Sequence, residues 1–447
     1  MATPKYWWKE AKIYELYIDK FAGDLNGLAA ELDYFAALGV NCLHLLPHYP
    51  SPMIDGGYDV TDYKNVRTEL GTVEDFAELV RQAAARDIRI VIDWVSNHTS
   101  SEHPWFEEAR STKNNPYRNF YLWSETGKEF AQATNAFPDI KESDWIFNPR
   151  TGDYYFATFY PEQPDLNWDE PRVFAEMVEA MDFWIELGVS GFRLDAARHI
   201  IKRDGTDCIN LPETHSVLKR IRAHFEERGF HDVILIAEAV GNLDVTKAYF
   251  GDGDECHMVY HFGLAEQMWL ALAKGDRTKF ERVLEESRDI PENCQWVVFL
   301  RNHDEIALGD LDENDRAALM QFLDPDKRYW MEKANLTSMR LAEVFAGDET
   351  KIRAALEMLY KAPGAHVMYY GDEIGMRNLD RQEGIVDTRK YVRGVFDRES
   401  ARSQMKDPGS LFNEVAKLMR STSAEVLHAE EALPEPPEEQ PDDVDTN

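Results

Sequence analysis

Eight short apolar runs punctuate the chain, at 12–18, 40–46, 88–94, 189–195, 233–238, 257–262, 295–300 and 366–370, with amphipathic stretches between them. Runs this short and this rich in Val, Ile and Leu predict buried strands, whereas the stretches between them repeat at helical spacing. Thr72 is placed to cap a helix with Asp75 three residues on, and Phe76, Leu79, Val80, Ala83 and Ala84 then share one face. Pro171 suits a first helical turn, and Phe174, Met177, Val178, Met181 and Ile185 follow at helical spacing. Eight strands alternating with helices predict an α/β fold, the closed (β/α)8 barrel.

A plain barrel needs about 250 residues, and the chain has 447. The surplus is predicted to lie mainly in two insertions. The stretch 99–168 is rich in aromatics, Asn and Pro, lacks a helical pattern, and predicts a small inserted domain after strand three. A second insertion, predicted to be mostly helical, covers about 305–350. The barrel itself is assigned to 1–98 and 169–420, and the acidic, Pro-rich stretch 421–447 is predicted to be a disordered tail.

The charge balance narrows the partners. Asp and Glu number 82 against 49 Lys and Arg, a formal charge of −33. Such a surface repels nucleic acid and anionic membranes. No apolar run is long enough to span a bilayer, and MATPKYWWKE lacks the pattern of a secretory signal. Cys42, Cys208, Cys256 and Cys294 have no paired spacing, so neither a zinc site nor a disulfide ladder is expected. A cytoplasmic location follows as the expectation, and oligomeric state is left open.

Four polar clusters end predicted strands, where barrel active sites are built. They are Asp93-Trp94-Val95-Ser96-Asn97-His98, Gly191-Phe192-Arg193-Leu194-Asp195, Glu238 after Val233–Ala237, and Arg301-Asn302-His303-Asp304-Glu305. Arg193 and Asp195 lie two apart on a strand and so point to one side. Charge pairing is expected to keep Asp195 ionised, as a nucleophile requires. Glu238 has no cation near it in sequence, so desolvation is expected to keep it protonated, as a general acid requires. Two such carboxylates are what glycosidic cleavage needs.

In this order, DWVSNH (93–98), GFRLDAARH (191–199), AEAV (237–240) and FLRNHD (299–304) resemble the alpha-amylase family, glycoside hydrolase family 13. GVNCLHLLP (39–47), GGYDVTDY (56–63), QPDLNWD (163–169) and YYGDEIGM (369–376) extend the resemblance to about residues 5–420. It implies Asp195 as nucleophile, Glu238 as acid/base and Asp304 as the third carboxylate, which holds sugar hydroxyls. It also implies that Tyr58, His98, Arg193 and His303 line the first sugar subsite, and that Asp93 braces Arg193.

QPDLN resembles the α-glucosidase and oligo-1,6-glucosidase branch. The resemblance implies that Asp59 pairs with Arg389, with Arg393 as runner-up, and blocks the far end of the site. A blocked site implies an α-glucosidase or transglucosidase that takes the terminal glucosyl unit of maltose, sucrose or trehalose. KRDGTDCINLPETH (202–215), FGDGDECHMVYHF (250–262) and IPENCQWVVFLRNHDE (290–305) resemble trehalose synthase, which implies a maltose/trehalose isomerase as the alternative. An endo-acting amylase or a non-catalytic binding protein are the lesser ones.

No cofactor is required. Asn97, Asp165 and the backbone of His199 occupy positions that hold a structural calcium in some amylases, although the QPDLN branch often lacks it. His44 stands where the family usually has Trp. The calcium loop after strand one and the usual C-terminal β-sandwich have no counterpart in the sequence.

Overall fold

The computed structural model describes residues 6–421, apart from 307 and 310. The tail predicted over 421–447 lies, beyond its first residue, outside the described residues. Among the described residues thirteen strands run in chain order: β1 Lys12–Leu16, β2 Cys42–Leu45, β3 Arg89–Val95, β4 Trp123–Ser124, β5 Trp145–Asn148, β6 Asp153–Phe156, β7 Gly191–Asp195, β8 Ile234–Ala237, β9 Met258–Tyr260, β10 Gln295–Val298, β11 Trp330–Met331, β12 Leu336–Thr337 and β13 Ala365–Tyr369. Eight of them close a parallel barrel in the order β1-β2-β3-β7-β8-β9-β10-β13, with β13 returning to β1. These are the eight predicted runs: six are shortened by two or three residues, and β3 and β13 keep their length but are shifted by one residue.

The helices form where cap and periodicity agree. Val73–Ala84 starts at a capping box between Thr72 and Asp75 and buries Phe76, Leu79, Val80 and Ala83. Ala84, expected on that face, is exposed. Pro171–Glu186 has its proline in the first turn and buries Met177, Val178, Met181 and Ile185. Leu411–Arg420 packs Leu411, Phe412, Val415 and Met419 inward, in the region read as the eighth barrel helix.

Between β3 and β7 the chain leaves the barrel and builds a separate antiparallel sheet, β4-β6-β5. The stretch read as mostly helical holds the helix Glu313–Leu323 but also an antiparallel hairpin, β11–β12, that the sequence reading missed. Asn335 takes φ of 54° at its turn, and the Trp330 indole N–H donates to the Asn335 side chain at 3.2 Å. That local turn chemistry favours chain reversal over helix.

Register positions the site. Asp93 pairs with Arg193 and Val95 with Asp195 across β3 and β7, and Glu15 pairs with His44 across β1 and β2. Because strand side chains alternate, these residues line the barrel interior together. Gly191 lets β7 and β8 approach: a Cβ there would lie 2.8 Å from the Ile234 carbonyl oxygen. No described helix is long and apolar enough to cross a membrane.

Candidate active site

A cavity of about 380 Å³ opens at the C-terminal end of the barrel, and Asp195, Glu238 and Asp304 all line it. Three strand ends supply them, so residues more than forty positions apart meet at one rim. Arg193 organises the pair. Its Nη1 lies 2.8 Å from Asp195 Oδ1 and 2.9 Å from Asp93 Oδ1, and its Nη2 lies 2.7 Å from Glu238 Oε1. Ala196 is held in the left-handed region at φ 48°, and its backbone N–H donates to Glu238 Oε2 at 2.8 Å. A non-glycine residue in that conformation stores strain at a functional position.

Two expectations about these groups need correction. Glu238 does have a cation beside it, because β7 and β8 pair with Arg193 opposite Ile236, a proximity that sequence distance hides. Arg193 does not decide the state of Asp195. Burial pushes that carboxyl above its ordinary range, Glu238 and Asp93 add to the effect, and Arg193 only opposes it.

Tyr58 and His303 stack in parallel, centroids 5.5 Å apart at 11°, with Tyr58 at the pocket wall. Burial works to discharge His303, but Asp304 and Glu15 on either side raise it to about 9, so the ring is a cation at neutral pH. Burial also works against ionised Asp304, yet His303, Arg389 and Arg393 hold it well below the ordinary carboxylate range. His98 is different. Burial lowers it to about 4, so it is neutral, and its Nε2 meets no protein partner among the described residues. An unpaired buried nitrogen at a pocket wall suits a ligand hydroxyl. Glu305 also lines the pocket, and burial together with the charge of Asp304 raises it to about 7.

Arg389 is paired at the pocket wall, but not with the predicted partner. Arg389 Nη2 bonds Asp55 Oδ1 at 2.8 Å, and its Nε bonds Asp387 Oδ1 at 2.9 Å. Asp59 faces away into its own loop, where it accepts from the Ser51 hydroxyl at 2.9 Å and the Ile54 N–H at 3.0 Å. Arg393, the alternative partner, bonds Asp304 at 2.9 Å instead. Asp55 was therefore missed, four residues from the position expected.

Phe137 and Phe159 from the inserted segment line the pocket together with Lys333 and Ala334 from the β11–β12 turn. Asp139 clasps the two together, accepting from Lys333 N–H at 3.0 Å and Ala334 N–H at 2.8 Å. None of these residues carried a motif.

The oxygens expected to suit calcium are already filled. Lys202 Nζ lies 2.8 Å from Asp165 Oδ2 and 2.9 Å from Asn97 Oδ1, and it also donates to the His199 carbonyl. An ammonium satisfies this oxygen set, so the residues present do not fit an additional divalent ion.

A pocket at the C-terminal rim of a (β/α)8 barrel, with two carboxylates bridged by one arginine and a third on the same wall, suits a sugar-cleaving or sugar-transferring enzyme. Residues 9–325 match the family model for the alpha-amylase catalytic domain. The chain is 41% identical over 424 residues to a trehalose synthase/amylase of Mycolicibacterium smegmatis, covering 92% of this chain and 71% of the relative. It is 30% identical over 449 residues to an oligo-1,6-glucosidase of Parageobacillus thermoglucosidasius, covering 92% and 73%. Among solved structures, an isomaltulose synthase variant of Erwinia rhapontici, in complex with sucrose, superposes with a TM-score of 0.72 at 25% identity, covering 94% and 84%. The chain belongs to the alpha-amylase family of glycoside hydrolases and glucosyltransferases.

Proposed function

We propose that the protein transfers the non-reducing terminal glucosyl unit of a small α-glucoside with retention of configuration, through a covalent glucosyl–Asp195. One observation supports this reading most: Asp55 and Arg389 line the pocket, and Arg389 is fixed there by Asp55 and Asp387, an ion-pair cluster against which a terminal sugar would abut. Asp195 forms the bond to the anomeric carbon while Glu238 gives its proton to the leaving oxygen. The positive charge developing on the sugar favours the ionised form of Asp195, which burial opposes. The incoming hydroxyl then returns a proton to Glu238 as it displaces Asp195. Asp304 accepts hydroxyls of the bound ring, Tyr58 stacks on it, and His98 and Arg193 complete the subsite.

A second reading concerns the acceptor. Similarity to the trehalose synthase/amylase and the Asp139 clasp at the pocket favour return of the released glucose to the same glucosyl unit, interconverting maltose and trehalose. Tying together two segments that line the pocket helps to retain the leaving sugar and exclude water.

The test is incubation with maltose, sucrose, trehalose and soluble starch separately, with Glu238→Gln as blank and products resolved by chromatography. Products from the small sugars with starch barely touched are expected. Internal cleavage of starch would refute this reading of the pocket. Trehalose from maltose with little free glucose supports isomerisation, and free glucose alone counts against it.

A further inference from the structure

Beneath the pocket floor five buried side chains form a closed hydrogen-bonded ring. Glu15 Oε1 accepts from the His303 backbone N–H at 2.8 Å and lies 3.0 Å from His303 Nδ1. Glu15 Oε2 lies 3.1 Å from His44 Nδ1, and His44 Nε2 lies 3.2 Å from Asp93 Oδ2. The same Asp93 oxygen accepts from the Tyr58 hydroxyl at 3.0 Å, and that hydroxyl sits 2.5 Å from His303 Nε2. No member is more than 3% exposed.

His44 has a carboxylate oxygen on both sides. Carboxylates only accept, and a neutral imidazole has one N–H. A neutral ring would therefore turn one lone pair on a buried anion. Both acids are held ionised by other donors: Glu15 Oε1 takes two N–H groups of His303, and Asp93 is bonded by Arg193 and Tyr58. With both acids ionised, only the doubly protonated ring satisfies all these bonds.

We propose that His44 is a positioning residue for glucosyl transfer: as an imidazolium tying Glu15 to Asp93, it holds Tyr58 and His303 under the sugar and supplies a positive charge beneath Asp195. This rests on the transfer reaction proposed above. The groups around the ring define the sign of its effect. Glu15 on β1 and Asp93 on β3 touch it directly; the cations Arg193 and His303 and the Tyr58 hydroxyl stand one bond further out. In agreement, burial works to discharge His44, but its hydrogen bonds to Asp93 and Glu15 raise it above the usual histidine range. Without the cation, Asp93 is less compensated and repels the ionised form of Asp195 more strongly.

Two measurements test this. The first is the pH dependence of kcat/KM for wild type, His44→Gln and His44→Lys. His44→Gln is expected to lose at least tenfold in kcat/KM, and its acid limb is expected to move to higher pH. His44→Lys, which restores a cation with several donors, is expected to bring the limb back toward wild type. A slower His44→Gln with its limb unmoved would mean packing alone and would overturn the proposal.

The second uses 15N-histidine-labelled wild type and needs no variant to fold. At pH 8, His44 and His303 are expected as solvent-protected imidazolium rings. A single protected imidazolium would overturn the proposal whatever the kinetics show. An inactive wild type with both imidazolium rings present would refute the proposed transfer reaction, and with it the role of His44, but not the charge on the ring.

Discussion

Lys202 offers the sharpest quantitative test, because one buried ammonium takes the place of a metal ion. Its Nζ joins Asp165 and Asn97, beside the inserted segment, to the His199 carbonyl that follows β7. In Lys202→Ala, Asp165 loses its cation but keeps the Thr158 N–H, at 2.9 Å, and the Thr158 hydroxyl as donors. Breaking a buried ion pair costs about 3–5 kcal/mol, and the surviving donors place this loss at the low end, about 3 kcal/mol. A chain of this length unfolds with an entropy of roughly 0.9 kcal/mol/K. The melting temperature should therefore fall by about 3–4 °C.

The substitution also vacates a set of three oxygens, one of them anionic. Calcium takes 6–8 oxygens, with water filling the remainder. Millimolar calcium is expected to recover part of the loss in Lys202→Ala, more than magnesium at equal ionic strength, and to leave the wild type unchanged. Lys202→Met, which fills the space with an apolar chain, should show the loss without recovery. Differential scanning calorimetry reads all three proteins. A wild type stabilised by calcium, or destabilised by a chelator, would refute the argument that the ammonium fills this set.

Three further outcomes follow from the pocket. Asp55→Asn removes a charge-assisted bond to Arg389, worth about 1.5–3 kcal/mol, so kcat/KM on maltose should drop roughly 10–100-fold. Asp59→Asn should change it less than about twofold, because Asp59 bonds only its own loop; equal losses would restore the Asp59–Arg389 pairing. His303, raised in the fold from 6.5 to about 9, binds its proton more tightly folded than unfolded. Its contribution, about 3 kcal/mol, is complete below about pH 6.5 and lost as pH rises to about 9; a His303→Asn stability deficit that does not shrink over that window would contradict it. Asp139→Ala opens the clasp at Lys333 and Ala334, and the share of free glucose among the products should rise; an unchanged share would separate the clasp from water exclusion.

How much of this was legible in the sequence depends on how far each feature reaches along the chain. Strand runs and capped helices are local, and Thr72 with Asp75 is sufficient to start a helix. Asp195, Glu238 and Asp304 could be placed on one rim because each ends a strand run or lies in the cluster that follows one, and strand ends in a barrel share one rim. What failed were pairings between elements. The cation at Glu238 arrives from the neighbouring strand, and the turn Lys333–Asn335 meets Asp139 from almost two hundred residues away.

The Asp55–Asp59 misassignment is more instructive, since both residues lie in one short loop and both are buried carboxylates. Gly56 and Gly57 between them take φ of 58° and 101°, in the left-handed region. A Cβ at Gly56 would sit 2.4 Å from Arg393 Nη1, so the arginine beside Asp304 packs against bare backbone there. These two residues turn the chain sharply, sending Asp55 toward Arg389 and folding Asp59 back onto Ser51 and Ile54. Composition shows that such a loop can turn. Which of two aspartates then faces the arginine is decided by backbone handedness at two glycines, and glycine is the residue whose handedness its identity constrains least.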